Sequence, residues 1–225
     1  MGGRRLCFEH PERPDLCIKV LRTDPERTVR LSQSSTWKTK FGRVYDNNQH
    51  EKIELDKLFG KHGNVIKQHF PQHYGFVETD LGNGLVLDLM RDFDGEISMS
   101  LREWISTGNS IVDIEPAFLE FGRFMYEHSI LTKDILDHNI VVVRESEQDF
   151  RLVMIDGIGY SAFIPVAAWV AAVSRRRIKK KLEKAWARLE WLQESGGISA
   201  DLVNNSSWGQ GFRYNQSINK RIKED

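Results

Sequence analysis

The feature that most constrains the fold of this chain is a pair of short apolar runs, each of which has Asp or Asn side chains next to it. Asp134 and Asn139 stand five residues apart, and the β-branched run 140–143 follows at once. After a polar turn comes a second apolar run, 152–155, which leads directly into Asp156. Short β-branched runs separated by a polar turn are typical of paired, buried strands. We therefore predict a β-hairpin with acidic or amide side chains at its open end.

Oxygen ligands at this spacing indicate phosphoryl transfer. In kinase centres an Asp orients the attacking hydroxyl, while an Asn five residues on and a later Asp-Gly hold magnesium against the phosphates. The layout predicts Asp134 as the catalytic base and Asn139 and Asp156 as magnesium ligands. The alternative is that Asp134 and Asn139 are capping or turn residues before a strand, because their spacing alone is common. The hairpin that follows them favours the catalytic interpretation.

An upstream lysine agrees with this chemistry. Lys19 lies inside the apolar segment Cys17-Ile18-Lys19-Val20, where a charge is costly unless it has a partner. Kinase-type sites place such a lysine on the nucleotide phosphates and steady it with a carboxylate on the following helix. Glu51 and Glu54 lie three residues apart, hence on one helix face, and one of them is the candidate partner. The alternative is an edge-strand lysine that points to solvent.

The overall composition argues against several other functions. Thirty-two basic and 32 acidic residues cancel in a chain of 225 residues, so no net charge draws it to nucleic acid or to a membrane. The longest apolar stretch, 163–173, is too short to span a bilayer. Two cysteines, Cys7 and Cys17, cannot build a disulfide framework, and the first residues lack a secretion signal pattern. We expect a cytoplasmic protein with no nucleic-acid partner.

The order of patterns along the chain predicts an α+β protein with two lobes. The first lobe, residues 1–93, should hold strands and one helix, with a long polar loop at 22–46. The second lobe, residues 94–192, should be helical and carry the hairpin of residues 134–156, and residues 193–225 should form a loose polar tail. Within the first lobe the patterns predict two strands over 4–20, a helix at about 49–60 that ends at Gly60, and strands at 74–78 and 85–90.

The second lobe contains three helical patterns. Ser100 followed by Glu103 is a capping-box signature. Pro116 is expected to open the next helix, whose buried side would carry Phe118, Phe121, Phe124 and Met125. A third helix has apolar residues at helical spacing, namely Ile178, Leu182, Ala185, Leu189 and Leu192. The basic run 175–181 at its start is either a site for phosphate, acidic protein or anionic lipid, or the solvated face of that helix.

Several short motifs resemble, in order, those of a known family. They extend from residue 1 to about residue 192 and comprise Gly2-Gly3-Arg4-Arg5, His10-Pro11-Glu12, Cys17-Ile18-Lys19-Val20, Tyr45-Asp46-Asn47-Asn48-Gln49-His50-Glu51, His73-Tyr74-Gly75-Phe76-Val77-Glu78-Thr79-Asp80, Asp92-Phe93-Asp94-Gly95 and Asp156-Gly157-Ile158-Gly159. On these motifs the chain resembles the bacterial PhoP regulatory network protein YrbL family, which is similar to protein kinases in fold. The resemblance implies a reduced protein-kinase-like fold, with a small β-rich first lobe and a short helical second lobe.

The resemblance also implies roles for individual residues, with ATP and magnesium as cofactors. Lys19 would bind phosphate, and Glu51 would pair with it, because the motif around it favours Glu51 over Glu54. Asp88-Leu89-Met90 would form the hinge between the lobes, whose backbone could meet an adenine ring. Gly2-Gly3 would correspond to part of the glycine-rich phosphate loop of kinases. A nucleotide would therefore be the first partner, and a protein or small molecule the second.

The chain also departs from the kinase pattern. Thr132-Lys133-Asp134 stands in place of His-Arg-Asp, and Leu136 occupies the usual place of the catalytic-loop lysine. Asp156-Gly157-Ile158 replaces Asp-Phe-Gly, and no Ala-Pro-Glu follows. Two functions of different classes remain open. One is a phosphotransferase that uses magnesium and ATP and acts on a hydroxyl group. The other is a catalytically inactive kinase-like binding module in a bacterial regulatory network.

Overall fold

A sheet with one helix forms the first part of the structure, and helices around a hairpin form the second. The computed structural model describes residues 5–21, 47–159 and 171–196. Its strands are β1 (Arg5–Glu9), β2 (Leu16–Leu21), β3 (His73–Thr79), β4 (Gly82–Asp88), β5 (Met99–Ser100), β6 (Ile140–Arg144) and β7 (Phe150–Met154). Its helices are α1 (Asn47–His62), α2 (Leu101–Ser106), α3 (Ile111–Glu127) and α4 (Ala171–Glu194), and a 3₁₀ segment covers Gly63–Gln68. The fold is α+β, as predicted.

Several predicted features fall outside the described residues. They are Gly2 and Gly3, the polar loop at 22–46 and the tail from residue 197 onwards. The apolar stretch at 163–173 is described only from residue 171, where α4 begins. Among the residues that the structure describes, no helix has both the length and the apolar character needed to cross a membrane.

β2 is an inner strand of the first sheet, which explains how a lysine comes to be buried in it. The sheet is antiparallel in the order β1-β2-β4-β3, so β2 is bonded on both sides. Lys19 lies opposite Cys7 of β1 and Leu85 of β4, and only 8% of it is exposed. The edge-strand alternative for Lys19 is therefore wrong. Gly84 of β4 leaves room for the Ile18 side chain of β2, because a Cβ at residue 84 would lie 2.3 Å from Cγ2 of Ile18.

α1 is longer than its sequence pattern suggested. Leu55 is fully buried in the core and holds the helix on the sheet. The prediction that the helix ends at Gly60 is wrong, because it continues to His62. Gly63 follows with a φ of +70°, a conformation that glycine adopts without strain. The 3₁₀ segment then leads to His69, whose carbonyl accepts a hydrogen bond of 2.8 Å from Met154 N of β7. This bond ties the first part of the structure to the hairpin of the second.

The helices of the second part begin where hydroxyl side chains can cap them. The capping box at α2 is confirmed, since Ser100 Oγ accepts from Glu103 N at 3.2 Å and the glutamate accepts from Ser100 N at 2.9 Å. α3 begins at Ile111, where the Ser110 side chain accepts from the backbone of the first turn. Pro116 therefore lies inside α3 and does not open it. The cap and the burial of Ile111 add a turn that the proline position did not predict.

The core of the second part forms between α3 and α4. The predicted apolar face of α3 is buried, at Phe118, Phe121, Phe124 and Met125. Opposite it lie the predicted residues of α4, of which Ile178, Ala185, Leu189 and Leu192 are buried and Leu182 is partly buried. The predicted hairpin is confirmed as β6 paired antiparallel with β7, and the short β5 adds a third strand. The hairpin and the first sheet face each other where the candidate site lies.

Candidate functional site

The predicted ion pair between strand and helix is present. Lys19 Nζ lies 2.8 Å from Glu51 Oε1, and 10% and 5% of the two side chains are exposed. Glu54 instead pairs with Lys57 at 2.6 Å, one helical turn along the surface of α1. The structure thus selects Glu51 over Glu54 as the partner. Lys19 Nζ also donates to the carbonyl of Ile155 at 2.6 Å, so the ammonium group bridges the sheet, α1 and the end of the hairpin.

A second cation, Arg5, joins this pair and was missed by sequence reasoning. Its guanidinium pairs with Glu51 through Nη1 and with Asp156 through Nη2, at 2.6 Å from Oδ2. Only 9% of Arg5 is exposed. Burial disfavours its charge, but Glu51 and Asp156 more than offset that cost and raise the pKa of the guanidinium. We call Arg5, Lys19, Glu51 and Asp156 the charged quartet.

Asn48 fixes the quartet from the first turn of α1. It is fully buried, and its Nδ2 donates to the carbonyl of Lys19 at 2.7 Å. Its Oδ1 accepts a longer bond of 3.4 Å from Arg5. One amide therefore joins α1 to β2 and also helps to position Arg5. Asn48 belongs to a motif that the sequence analysis singled out for Glu51 alone, so its contribution went unnoticed.

Asp156 is placed beside Asn139 by the hairpin. Ile155 N donates to the Asn139 carbonyl at 2.8 Å, just past the paired strands. Gly157 has a φ of +73°, and a Cβ there would lie 2.7 Å from Asn139 Nδ2, so glycine is required on both counts. Burial opposes ionisation of Asp156, whereas Arg5 and Lys19 hold the pKa of its carboxyl below the ordinary value. Asp156 is thus an anion whose charge is matched by its neighbours.

The chemistry of Asn139 and Asp156 suits magnesium, but the present geometry does not. Carboxylate and amide oxygens are the ligands that Mg²⁺ takes. Both Asp156 oxygens are already engaged, since Oδ2 faces Arg5 and Oδ1 accepts from Gly157 N at 2.6 Å. The predicted metal role of both residues stays a prediction.

Asp134 lies in a more open part of the site, the catalytic loop (residues 132–139). Its side chain is 58% exposed, and Lys181 Nζ of α4 lies 3.9 Å from Oδ1. Lys181 also donates to the carbonyls of Thr132, at 2.8 Å, and Lys133. Burial lowers the pKa of Lys181, and Asp134 opposes that effect. Lys181, on a helix more than 40 residues beyond Leu136, therefore places a cation beside Asp134.

A buried aspartate holds the back of the catalytic loop. Asp137 has no exposed side-chain surface and pairs with Arg102 of α2 and, at 2.6 Å, with Arg188 of α4. Burial opposes its ionisation, but Arg188 and Arg102 lower the pKa of its carboxyl. Sequence reasoning passed over Asp137, because nothing in its pattern distinguishes a buried anchor from a loop residue. Its role is to fix the loop that presents Asp134.

The predicted hinge connects the first sheet to the second part of the chain. Asp88 ends β4, and its carboxylate accepts bonds of 2.8 Å from Gln72 N and from the Tyr74 hydroxyl. Met90 packs against the valines of the hairpin, and its carbonyl accepts from Ser98 N at 3.0 Å. The segment is thus well anchored. The adenine contact assigned to Asp88 and Met90 stays a prediction.

The basic run at the start of α4 divides into two groups. Arg176, Arg177, Lys179 and Lys180 are exposed. Arg175 stacks over Tyr126 of α3, with its guanidinium carbon 5.3 Å from the ring centre. Lys181, at the end of the run, is joined to the catalytic loop by the contacts described above. Most of the run therefore forms the solvated helical face that was one of its two interpretations.

Taken together, the site defines a protein-kinase-like protein. A buried lysine of the sheet pairs with a glutamate of the following helix, and a hairpin separates an aspartate in an exposed loop from an Asp-Gly pair. The family model for the PhoP regulatory network protein YrbL matches residues 1–190. The chain belongs to this family, as its sequence motifs suggested.

Curated relatives agree with this assignment. YrbL of Escherichia coli (strain K12) is 29% identical over 192 residues, covering 83% of this chain and 80% of that protein. YrbL of Shigella flexneri matches to the same extent, with 29% identity over 192 residues. Among solved structures, a mutant form of the PknI kinase domain of Mycobacterium tuberculosis is 16% identical with a TM-score of 0.42, and the match covers 86% of this chain and 69% of that one.

Proposed function

We propose that this YrbL-family protein binds a nucleoside triphosphate between the charged quartet and the catalytic loop, in what we call the cleft, and transfers its terminal phosphoryl group to a hydroxyl. The observation that carries the proposal is the 2.8 Å pair between Lys19 and Glu51, which also contacts the end of the hairpin through Ile155. The carboxylate holds the buried ammonium group of the lysine in one position, as phosphate binding requires. The second contact of Lys19, with the Ile155 carbonyl, sets its ammonium group at the residue before Asp156.

The proposed reaction uses residues on both sides of the cleft. Lys19 would bind the phosphates, and Asp134 would accept the proton of the attacking hydroxyl. The new bond forms between the hydroxyl oxygen and phosphorus as the bond to the leaving diphosphate oxygen breaks. Lys181 would supply positive charge beside the transferring group. Asn139 and Asp156 would serve as metal ligands only if Arg5 moved away from the carboxylate.

A second candidate function has its own supporting observation. Arg5 occupies Asp156, which is the residue that a kinase needs for its metal ion. A chain in which this contact persists would be a kinase-like module that acts in the regulatory network through binding and not through catalysis. The departures at Leu136 and Ile158 favour the same interpretation. Both candidates use the same cleft, and they differ in turnover.

Nucleotide binding and turnover can be measured separately on the full chain. We expect ATP to raise the melting temperature of the parent and to lose that effect in Lys19→Met, because the phosphates lose their main cation. Lys57→Met is a matched control, since Lys57 is an exposed lysine on α1 outside the cleft. Release of ADP in the presence of hydroxyl acceptors then reports transfer. Binding without ADP release would favour the regulatory module, and no binding at all would contradict the proposal.

A further inference from the structure

The contacts of Arg5 bear on which form of the nucleotide the cleft accepts. Arg5 is held between two carboxylates by Nη1 and Nη2, and Asn48 supports it from α1. A guanidinium is planar, has five N–H donors and matches the geometry of both carboxylates and phosphates. It therefore makes at Asp156 the kind of contact that a hydrated metal ion would make in a kinase.

The charge of the quartet points in the same direction. Arg5 and Lys19 carry two positive charges, and Glu51 and Asp156 carry two negative ones, so the group is neutral. Without Arg5 the same site would have an excess negative charge, which is the condition that attracts a divalent cation. With Arg5 in place, a divalent cation gains little by entering. Phosphate oxygens, in contrast, would accept hydrogen bonds from Arg5 and Lys19, whose N–H groups face Asp156 and the Ile155 carbonyl.

We propose that Arg5 takes the place of a divalent cation on Asp156, so that the cleft binds nucleotide phosphates without magnesium. This inference rests on the proposed nucleotide site and specifies its ligand as the metal-free triphosphate. Arg5 neutralises Asp156 and, together with Lys19, offers donors to the phosphate oxygens. Asp156 is then a residue that positions Arg5, and it is not a metal ligand in the resting protein.

The test is calorimetric titration of the full chain with ATP, once with EDTA and once with magnesium. For the parent we expect dissociation constants that differ by less than about threefold between the two conditions. Arg5→Gln should weaken binding in EDTA by about tenfold or more, since one phosphate cation is lost. Magnesium should restore that loss, because the carboxylate of Asp156 is no longer occupied. Arg13→Gln is the control, as Arg13 is an exposed arginine whose ion pair is with the nearby, exposed Asp15.

A double variant guards against misfolding of the single one. Arg5→Gln/Asp156→Asn removes one charge of each sign, so the remaining Lys19–Glu51 pair stays balanced. We expect this variant to fold, to bind ATP weakly and to show no rescue by magnesium. Circular dichroism would verify that each variant is folded.

The possible outcomes separate this inference from the proposed function. If the parent binds ATP only with magnesium, or if Arg5→Gln has the metal dependence of the parent, the role of Arg5 is overturned while the nucleotide site stands. If no variant binds ATP in either condition, the nucleotide site and the role of Arg5 both fall. Binding by the parent in EDTA, lost in Arg5→Gln and restored by magnesium, supports the proposal.

Discussion

The charged quartet and the catalytic loop lie on two sides of the same cleft, but their charges are held in different ways. In the quartet, Lys19 and Glu51 are 10% and 5% exposed and are joined by further contacts to Arg5 and Asn48. In the loop, Asp134 is 58% exposed, and Lys181 Nζ stands 3.9 Å from its Oδ1. Arg5, Lys19 and Glu51 are built into the core of the fold, with the half-exposed Asp156 at their edge, whereas Asp134 is presented to solvent.

This difference separates stability from chemistry. Removing one member of a buried ion pair leaves an uncompensated charge and costs about 3–5 kcal/mol, whereas an exposed pair contributes about 0–1 kcal/mol. We therefore expect changes at the three buried members of the quartet, Arg5, Lys19 and Glu51, to affect folding as well as ligand binding. Changes at the exposed Asp134 should affect phosphoryl transfer with little effect on folding.

The largest effect is expected for Glu51→Ala. The variant leaves both Arg5 and Lys19 without their shared carboxylate in a buried site, so the free energy of unfolding should fall by about 3–5 kcal/mol. Urea denaturation followed by circular dichroism measures the change. Glu54→Ala is the matched control, since Glu54 lies on the same helix but pairs with the exposed Lys57, and it should cost less than about 1 kcal/mol. Equal losses in the two variants would contradict the comparison.

Asp134→Asn should separate the two sides most clearly. If transfer occurs, the variant should lose turnover by about 100-fold or more, because the amide cannot accept the hydroxyl proton. ATP affinity and the melting temperature should stay near those of the parent, because Asp134 is exposed and would contact the acceptor, not the nucleotide. Asp149→Asn, in the exposed turn of the hairpin, serves as control. A clear loss of ATP affinity in Asp134→Asn would contradict the assignment of roles.

The contrast between the two sides also explains what could be predicted from the sequence. Lys19 and Asp134 were found because each lies in a local pattern, a charge in an apolar strand and an Asp before a hairpin. Helical spacing narrowed the partner of Lys19 to Glu51 or Glu54, the family resemblance favoured Glu51, and the docking of α1 shows that Glu51 makes the pair. The hairpin itself followed from two β-branched runs. Local sequence patterns were therefore enough to predict these elements.

Residues that reach the site from elsewhere were not predictable in this way. Arg5 shares the face of Lys19 only because β1 pairs with β2 in the register that sets Cys7 opposite Lys19. The register of two strands depends on the geometry of the turn between them and on which face is buried. Neither could be read from the short sequences of β1 and β2 alone. Lys181 reaches Asp134 only through the packing of α4. The prediction that Pro116 opens a helix was wrong because the cap at Ser110 begins α3 earlier.

Lys181→Met tests whether Lys181 of α4 does the work of the kinase catalytic-loop lysine, whose place in this chain is taken by Leu136. We expect kcat to fall by about tenfold, with the KM for ATP nearly unchanged, because the ammonium group would stabilise charge that develops during transfer. Lys181→Arg should recover part of the rate. Lys180→Met changes the exposed neighbour on the same helix and should have no effect. A variant that raises the KM for ATP with kcat intact would place Lys181 in nucleotide binding instead.

The smallest effect concerns His69, which links the first part of the chain to β7 behind the cleft. Its side chain is buried between Phe121 and Phe124, Nδ1 lies 2.7 Å from the Leu152 carbonyl, and burial lowers the pKa of the imidazole. Because the folded pKa is below the unfolded one, the unfolded chain binds the proton more readily. Stability should therefore be full above the unfolded value, about 6.5, and should decline as the pH falls through it.

For this one residue the change in the free energy of unfolding cannot exceed about 1.4 kcal/mol per pH unit, because unfolding takes up at most one proton. Urea denaturation of the parent and of His69→Gln between pH 7.5 and pH 5.5 would measure it. The glutamine variant should be less stable at pH 7.5, since it packs less well against the two rings, but it should lose less stability on acidification. Since His69 touches neither the quartet nor the catalytic loop, ATP binding per folded molecule should stay unchanged. Parallel pH curves for the two proteins would show that the acid sensitivity comes from other groups.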